Sequence, residues 1–508
     1  FVRGVSFHET YNRATSISGV HYLTVDNNVY YRCKGHNIFL EDGTETNNLI
    51  SNNLVISTRS ALSNDITDRT PASFFITNPN NQWINNRAAG SDSHGFWMYL
   101  TEKPTGASFG NTICPTGEVL GEFDGNQAHS NNRTGLYIYP ILNPRQNPCG
   151  SATDSVANPP VPGVIQNYKA WKNRVSGVFA NQIGEITFAN MQIADTLQSG
   201  IEISAGGLFR SQQLVIENIT LVGMSSKCCE SQNVTNSYFT NPFRGIVTPR
   251  CDGLLVSNVR FHNFATPDTI TSTSQVQSAF QDCSQCQISS TTDSGARTVF
   301  TRGLWFNQTS FLGTRVLFNV PYRGIFRDLD GTLVKKTLST VTAGWVTASL
   351  PHNKAAAECQ EDLENYNGLV CDDSVQVRRV VLYAASSSIN GNSLYVLNCG
   401  KGTVTNDVCD NLNNTEYPSS SFSTVQFRSQ TNPTNSWAAP YVTGYTYNLH
   451  WGSSGIDWQS LTIQNSNLFE TDDQTITLRI NTTAYRETFG VKASSLVIPN
   501  VTQLWDSS

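Results

Sequence analysis

Charged side chains are scarce in this sequence: Asp, Glu, Lys and Arg make up 14% of the 508 residues, and only 3 residues are Met. Helical proteins are rich in Glu, Lys, Ala and Leu, so that shortage excludes a mainly helical chain. Basic blocks are missing as well. Lys and Arg number 33 against 39 Asp and Glu, a net charge of −6, which argues against a nucleic-acid partner because nothing is there to displace counterions from phosphates. No apolar run approaches the roughly 20 residues of a membrane-spanning helix. Initiator Met and a leader segment are also missing, so Phe1 is expected to open a mature or trimmed chain. What abounds is Asn, Ser, Thr and Gly, together with Val, Ile, Tyr and Phe, the material of turns and strands. The length suffices for a large core and a second domain.

One short phrase recurs: Gly35-His36-Asn37-Ile38-Phe39-Leu40, Ser93-His94-Gly95-Phe96-Trp97-Met98 and Arg133-Thr134-Gly135-Leu136-Tyr137-Ile138. An Asn lies nine positions before the Gly or Asn of each copy: Asn28 before Asn37, Asn86 before Gly95, Asn126 before Gly135. The phrase returns as Asn236 before Gly245 and, with one extra residue, as Asn190 before Gly200. Fixed Asn and Gly amid drifting neighbours mark a stacked solenoid. The intervening short strands are too close for helical crossovers, which a parallel β-helix avoids by making each crossover the next wall of the same coil. Equivalent side chains then stack about 4.8 Å apart, and Asn at a fixed turn can ladder its amides. A β-sandwich with Asn-rich turns is the alternative, and the fixed offset argues against it. The sequence predicts an all-β chain: a right-handed parallel β-helix over 1–335, with loop excursions near 59–70, 104–117, 141–163 and 266–294, then a small antiparallel β-sandwich over 336–508. In that second part, 375–384, 393–397, 441–449, 461–463 and 475–480 read as strands between turn clusters.

Twelve Cys and seven Asn-x-Ser/Thr sequons, at Asn132, Asn218, Asn233, Asn307, Asn413, Asn481 and Asn500, predict a secreted or extracellular cell-surface protein. Cys359 with Cys371 and Cys399 with Cys409 are spaced for local disulfides. Zinc is the rival reading of Cys283-x-x-Cys286, and the partners of Cys228, Cys229 and Cys251 stay open.

The stretches Gly35–Gly43, Asn85-Asn86-Arg87-Ala88-Ala89-Gly90-Ser91, Asn126-Gln127-Ala128-His129-Ser130-Asn131 and Gly324-Ile325-Phe326-Arg327-Asp328-Leu329-Asp330-Gly331 resemble the β-helix region shared by fibrocystin-L, the cell-surface transmembrane hyaluronidase and the cell-migration-inducing hyaluronan-binding protein. The resemblance is strongest over 1–140 and implies the β-helix fold. It also implies either hyaluronan depolymerisation with calcium or a structural surface role, both found in that family. The family's G8 module, which carries the residues associated with cleavage, lies upstream and is not matched here.

Aligning the phrases puts His36 and His94 in one slot, with Thr134 in the third copy and Arg133 one place earlier. His36, His94, Glu41 and Asp92 are the candidate catalytic residues, since a His or carboxylate would move the proton at a glycosidic bond. Arg133, His129 and Trp97 are the candidate substrate-binding residues, with Arg forking onto a uronate carboxylate. Glu41 and Asp42 are candidates for calcium. The plainer reading of the same residues is capping and wall packing, with Asp328-Leu329-Asp330-Gly331 a turn that closes the last coil. Two functions follow: a β-helix that binds or cleaves an acidic polysaccharide such as hyaluronan, or a non-catalytic glycosylated protein that assembles with surface partners or end to end through open coils.

Overall fold

The computed structural model describes residues 1–62, 65–150, 157–206, 214–223, 225, 243–249, 254–264, 277–282, 298–318, 324–384, 394–402, 423–424, 435–451, 461–465, 476–482 and 485–491. Two compact units divide the chain: Phe1–Cys283 with Gly303–Arg315, and Ser284–Arg302 with Val316–Ser508.

In the first unit every strand pairs with the strand three places along the chain, so three successive strands make one coil and the coils build three parallel sheets. The first sheet begins with Val2–Arg3, Thr24–Asp26, Leu49–Ser51, Gln82–Ile84 and Phe123–Asp124. The second begins with Ser6–His8, Val29–Tyr31, Leu54–Ile56, Arg87–Ala89, Gln127–His129 and Lys169–Trp171. The third begins with Thr15–Ile17, Ile38–Leu40, Ala72–Ile76, His94–Leu100, Leu136–Pro140 and Ser176–Ile183. The interior is filled by like on like: Ile50 on Trp83 on Phe123 in the first sheet, and Phe74 on Phe96 on Leu136 in the third, all buried.

Asn fixes the turn between the first and second sheets in two adjacent columns. Asn28, Asn53, Asn86 and Asn126 are buried, and each of the first three donates its backbone N–H and its Nδ2 to the Oδ1 of the next, at 2.9–3.1 Å. One residue earlier, Asn27, Asn52, Asn85, Asn167, Asn190, Asn218 and Asn258 all adopt the left-handed conformation, φ 53–56°. Asn tolerates that region better than most residues. The recurrence at Asn190 is therefore no insertion: Asn190 belongs to the left-handed column with Asn85, while Met191 fills the buried slot. Tyr168, Ile219 and Val259 fill it in neighbouring coils, so the amide ladder ends at Asn126 and an apolar column continues it. Asn236 lies outside the described residues.

Gly95, Gly135, Gly177, Gly200 and Gly245 form a further column at the start of the third sheet. A Cβ on any of them would meet the next coil's carbonyl oxygen at 2.6–2.8 Å, which explains why the phrase keeps its Gly.

In the second unit Ile325–Asp328 pairs antiparallel with Gly344–Ala348, followed by Gly368–Asp372 and Cys359–Asp362. Two smaller sheets come after these. Val377–Ala384 lies between Asn435–Val442 and Leu461–Asn465, all antiparallel. The other runs Ser423–Thr424, Leu394–Lys401, Tyr445–Trp451, Ile476–Thr482, Tyr485–Val491. Two expectations are corrected here. The single strand expected over 441–449 is two, because Gly444, φ 80°, turns the chain from one sheet into the other. The sheets are also not wholly antiparallel, since Tyr445–Trp451 and Ile476–Thr482 run parallel.

Candidate functional site

The outer face of the third sheet carries an aromatic ladder in register, Phe39, Phe75, Trp97, Tyr137 and Phe179. Successive ring centroids lie 5.1–5.5 Å apart, the spacing expected from stacked rungs. Its first part is covered. The Arg13 guanidinium lies 3.7 Å above the Phe39 ring, and it ion-pairs with Asp68, 3.0 Å away, and with Asp65, both in the 59–70 excursion. Ile66–Arg69 there forms a short 3-10 helix capped by Asp65. Under this cover Phe39, Phe75 and Trp97 are only 4%, 3% and 7% exposed. Trp97 is thus a wall residue and not the sugar-binding ring expected from sequence.

His36 and His94 occupy one slot, as expected, but Ala72 holds that slot in the coil between them, so they do not stack directly. Both are buried, at 0% and 4% exposure. His36 Nδ1 accepts the Ala72 N–H at 3.0 Å, and Nε2 lies 3.0 Å from Thr67 Oγ1 and 3.6 Å from Asp68. Burial pulls the His36 imidazole below its ordinary range, against the opposing pull of Asp68. His94 stacks on Tyr137 at 4.4 Å, and its Nδ1 has no hydrogen-bond partner. Burial, then the Arg133 and His36 charges, push it down to about 3. Buried and neutral, both imidazoles are closed off from a polymer in solvent.

The candidate carboxylates are committed elsewhere. Asp92 accepts from Arg59 Nη1 and from the Ser60 N–H, both at 2.9 Å, and so anchors the 59–70 excursion. Asp42 is buried and accepts from Ser108 Oγ at 2.9 Å, while Glu41 is half-buried at the strand end. Glu45, not Glu41, caps this turn through the N–H groups of Gly19 and Gly43. Among the described residues no three His, Cys, Asp or Glu side chains gather as a group that could hold a metal ion.

Arg133 and His129 are placed differently. His129 ends the second-sheet strand Gln127–His129, and its ring stacks on Trp171 of the next coil, centroids 4.2 Å apart and 10° from parallel. Burial lowers its basicity. Arg133 is exposed on the turn that follows, held by its N–H to Ser93 O at 2.9 Å. Its charge reaches both His94 and Tyr137. The next coil adds Lys169, Lys172 and Arg174, the last donating to Asn132 Oδ1 at 2.8 Å. Arg133, Lys169 and Lys172 make no ion pair with a described carboxylate. Sequence reasoning missed Trp171 and these lysines. The signal was there: Lys169-Ala170-Trp171-Lys172-Asn173 aligns with Gln127-Ala128-His129-Ser130-Asn131, and Asn131 donates to Asn173 Oδ1.

Residues 1–136 match the CEMIP beta-helix family model. The chain opens with a CEMIP β-helix domain. That domain holds every candidate catalytic and binding residue named from sequence, while Trp171 lies past its end. The chain is 31% identical to fibrocystin-L of Mus musculus, over 75% of this chain and 8% of that protein. To the cell migration-inducing and hyaluronan-binding protein of Homo sapiens it is 26% identical, over 66% of this chain and 29% of that protein. To the human cell surface hyaluronidase CEMIP2 it is 30% identical, over 42% of this chain and 18% of that protein. The chain therefore spans less than a third of the length of each of these relatives.

The cystines and sequons fall as follows. Cys359 and Cys371 are bonded, as expected, and Cys114 pairs with Cys149, tying together two loops whose link the spacing did not reveal. Cys399 is disulfide-bonded, while Cys409, Cys228, Cys229, Cys251, Cys283 and Cys286 lie outside the described residues. Asn132 and Asn218 are exposed at turns, and Asn307 is half-buried with its Oδ1 accepting from Thr309. Asn481 is in Ile476–Thr482; Asn233, Asn413 and Asn500 lie outside the described residues. No helix among the described residues is long and apolar enough to cross a membrane.

Proposed function

We propose that this chain is part of an extracellular or cell-surface protein that binds an acidic polysaccharide such as hyaluronan through the corner formed by Arg133, His129, Trp171, Lys169 and Lys172. The observation that carries this reading is the stacked His129–Trp171 pair on neighbouring coils that also expose Arg133, Lys169 and Lys172, none of them ion-paired with a described carboxylate, on a chain whose net charge is −6. An acidic polymer would avoid such a molecule unless cations cluster locally. Arg133 offers a bidentate fork to a uronate carboxylate, the lysines add point charges, and the Trp171 ring offers an apolar face to a pyranose. The names of two relatives, one hyaluronan-binding and one a cell surface hyaluronidase, agree with this ligand class. The cystines agree with an extracellular setting.

The geometry favours binding over cleavage. Hydrolysis needs an acid and a base facing the scissile bond, whereas both histidines are buried and Asp92 is bound to Arg59. The test is to titrate the protein with hyaluronan and chondroitin, with and without calcium, and to size the polymer afterwards. Binding with unchanged polymer length is expected, and Arg133→Ala should bind about fivefold or more weakly while Arg302→Ala stays near wild type. Failure to bind either polymer would leave the non-catalytic structural role.

A further inference from the structure

The His129–Trp171–Lys169 trio has a counterpart that the proposed function does not use. Continuing along the second sheet, Gln192–Ala194 is followed by Thr220–Val222, Arg260–His262 and Trp305–Phe306. The register places Arg260 in the column of Lys169 and His262 in the column of His129 and Trp171. The His262 ring again rests against a tryptophan of the next coil, Trp305, with centroids 4.8 Å apart. Trp305 is 46% exposed. Arg260, His262 and Trp305 line a cavity of about 760 Å³ edged by Asn218 and Asn258.

Between the two trios the second sheet continues through Gln192–Ala194 and Thr220–Val222. The outward positions there are Gln192, Ala194, Thr220 and Val222, none charged and none aromatic. Along the whole outer face from Ser6 to Trp305 no strand residue is Asp or Glu, while Arg87, Lys169 and Arg260 project from it without a described ion-pair partner. Four coils separate His129 from His262, a span of roughly 19 Å at ~4.8 Å per rung. One small anion cannot bridge that distance; a linear polymer can.

We infer that Arg260, His262 and Trp305 form a second subsite for the same acidic polysaccharide, so that one polymer chain lies across the second sheet and engages both trios. This rests on the ligand class proposed above. Arg260 meets a second carboxylate, the Asn218 and Asn258 amides meet hydroxyls, and Trp305 meets a pyranose face. Engagement at the first trio raises the local concentration of polymer at the second.

Calorimetric titration with hyaluronan oligosaccharides of increasing length tests this. Affinity should rise at least tenfold once the oligosaccharide can span both trios. Arg260→Ala/Trp305→Ala should abolish that rise and leave short oligosaccharides at wild-type affinity. Arg260→Gln, which keeps the ring contact, should also blunt the rise and guards against misfolding of the double variant. A smooth length dependence, or a rise that survives in both variants, overturns the second subsite while leaving the first trio in place. An N-glycan found on Asn218 by peptide mapping also overturns it, because that sugar would fill the cavity. A wild type that binds no oligosaccharide at any length fails the ligand class itself.

Discussion

Asn86 receives the backbone N–H and the amide of Asn53, and passes its own on to Asn126. Its Nδ2 also donates to Ile50 O at 2.8 Å. Replacing it by Leu leaves two buried donors of Asn53 without an acceptor, each costing about 1–3 kcal/mol. Asn86→Leu should therefore lower stability by about 2–6 kcal/mol in urea unfolding, against little change for Asn85→Gly in the exposed column. His94 sets a pH dependence. Unfolded, its imidazole titrates near ~6.5; folded, it is held to about 3. Between those values the unfolded chain takes up a proton that the folded chain refuses. The stability contributed by neutral His94 is thus full above ~6.5 and is lost as pH falls, at about 1.4 kcal/mol per pH unit. His94→Phe keeps the stack on Tyr137 and removes the titration, so its melting temperature should fall less than wild type's between pH 7 and pH 5. An identical fall in both would show that other groups govern acid sensitivity. The shared slot of His36 and His94 was legible in the repeated phrase. The burial of His36 was not, because it depends on Arg13 and the 59–70 excursion folding across the sheet from elsewhere in the chain.

Coils are held in register by the Gly column as much as by the Asn ladder. At Gly135 an added Cβ would lie 2.7 Å from Gly177 O and 2.5 Å from Tyr168 Oη, between two coils that cannot separate without losing their ladder bonds. Gly135→Ala should cost about 1–3 kcal/mol, measured by chemical denaturation. The recurring Gly exposed this element arrangement to a reading of sequence because, from Gly95 to Gly245, the close approach of the next coil's carbonyl leaves no room for a Cβ. The Asn pattern misled at Asn190, since two adjacent columns both favour Asn for different reasons: amide laddering in one, left-handed backbone in the other. Beyond Gly331 five strands were read from the sequence, but Gly344–Ala348, Cys359–Asp362, Gly368–Asp372 and Tyr485–Val491 were not, and neither were the strand partners. Alternation marks a strand with one wet face, and says nothing about which of two sheets receives it after Gly444.

At the scale of the molecule, strand alternation turns sequence columns into surfaces. An outward residue at the start of a second-sheet strand meets its counterpart one rung away, so Lys169 and Trp171 share a face with Gln127 and His129 although 42 residues separate each pair. Composition alone reported an acidic chain, and the cationic face appears only once the coils are stacked. Attraction of an acidic polymer to that face is electrostatic and should weaken as salt rises. The most direct measurement is hyaluronan binding by wild type and by Arg133→Ala/Lys169→Ala at low and at physiological ionic strength. Wild type should bind, more weakly at the higher ionic strength, and the double variant should bind at least about tenfold more weakly while unfolding at the same urea concentration. Equal affinity in the two proteins would contradict binding at that face.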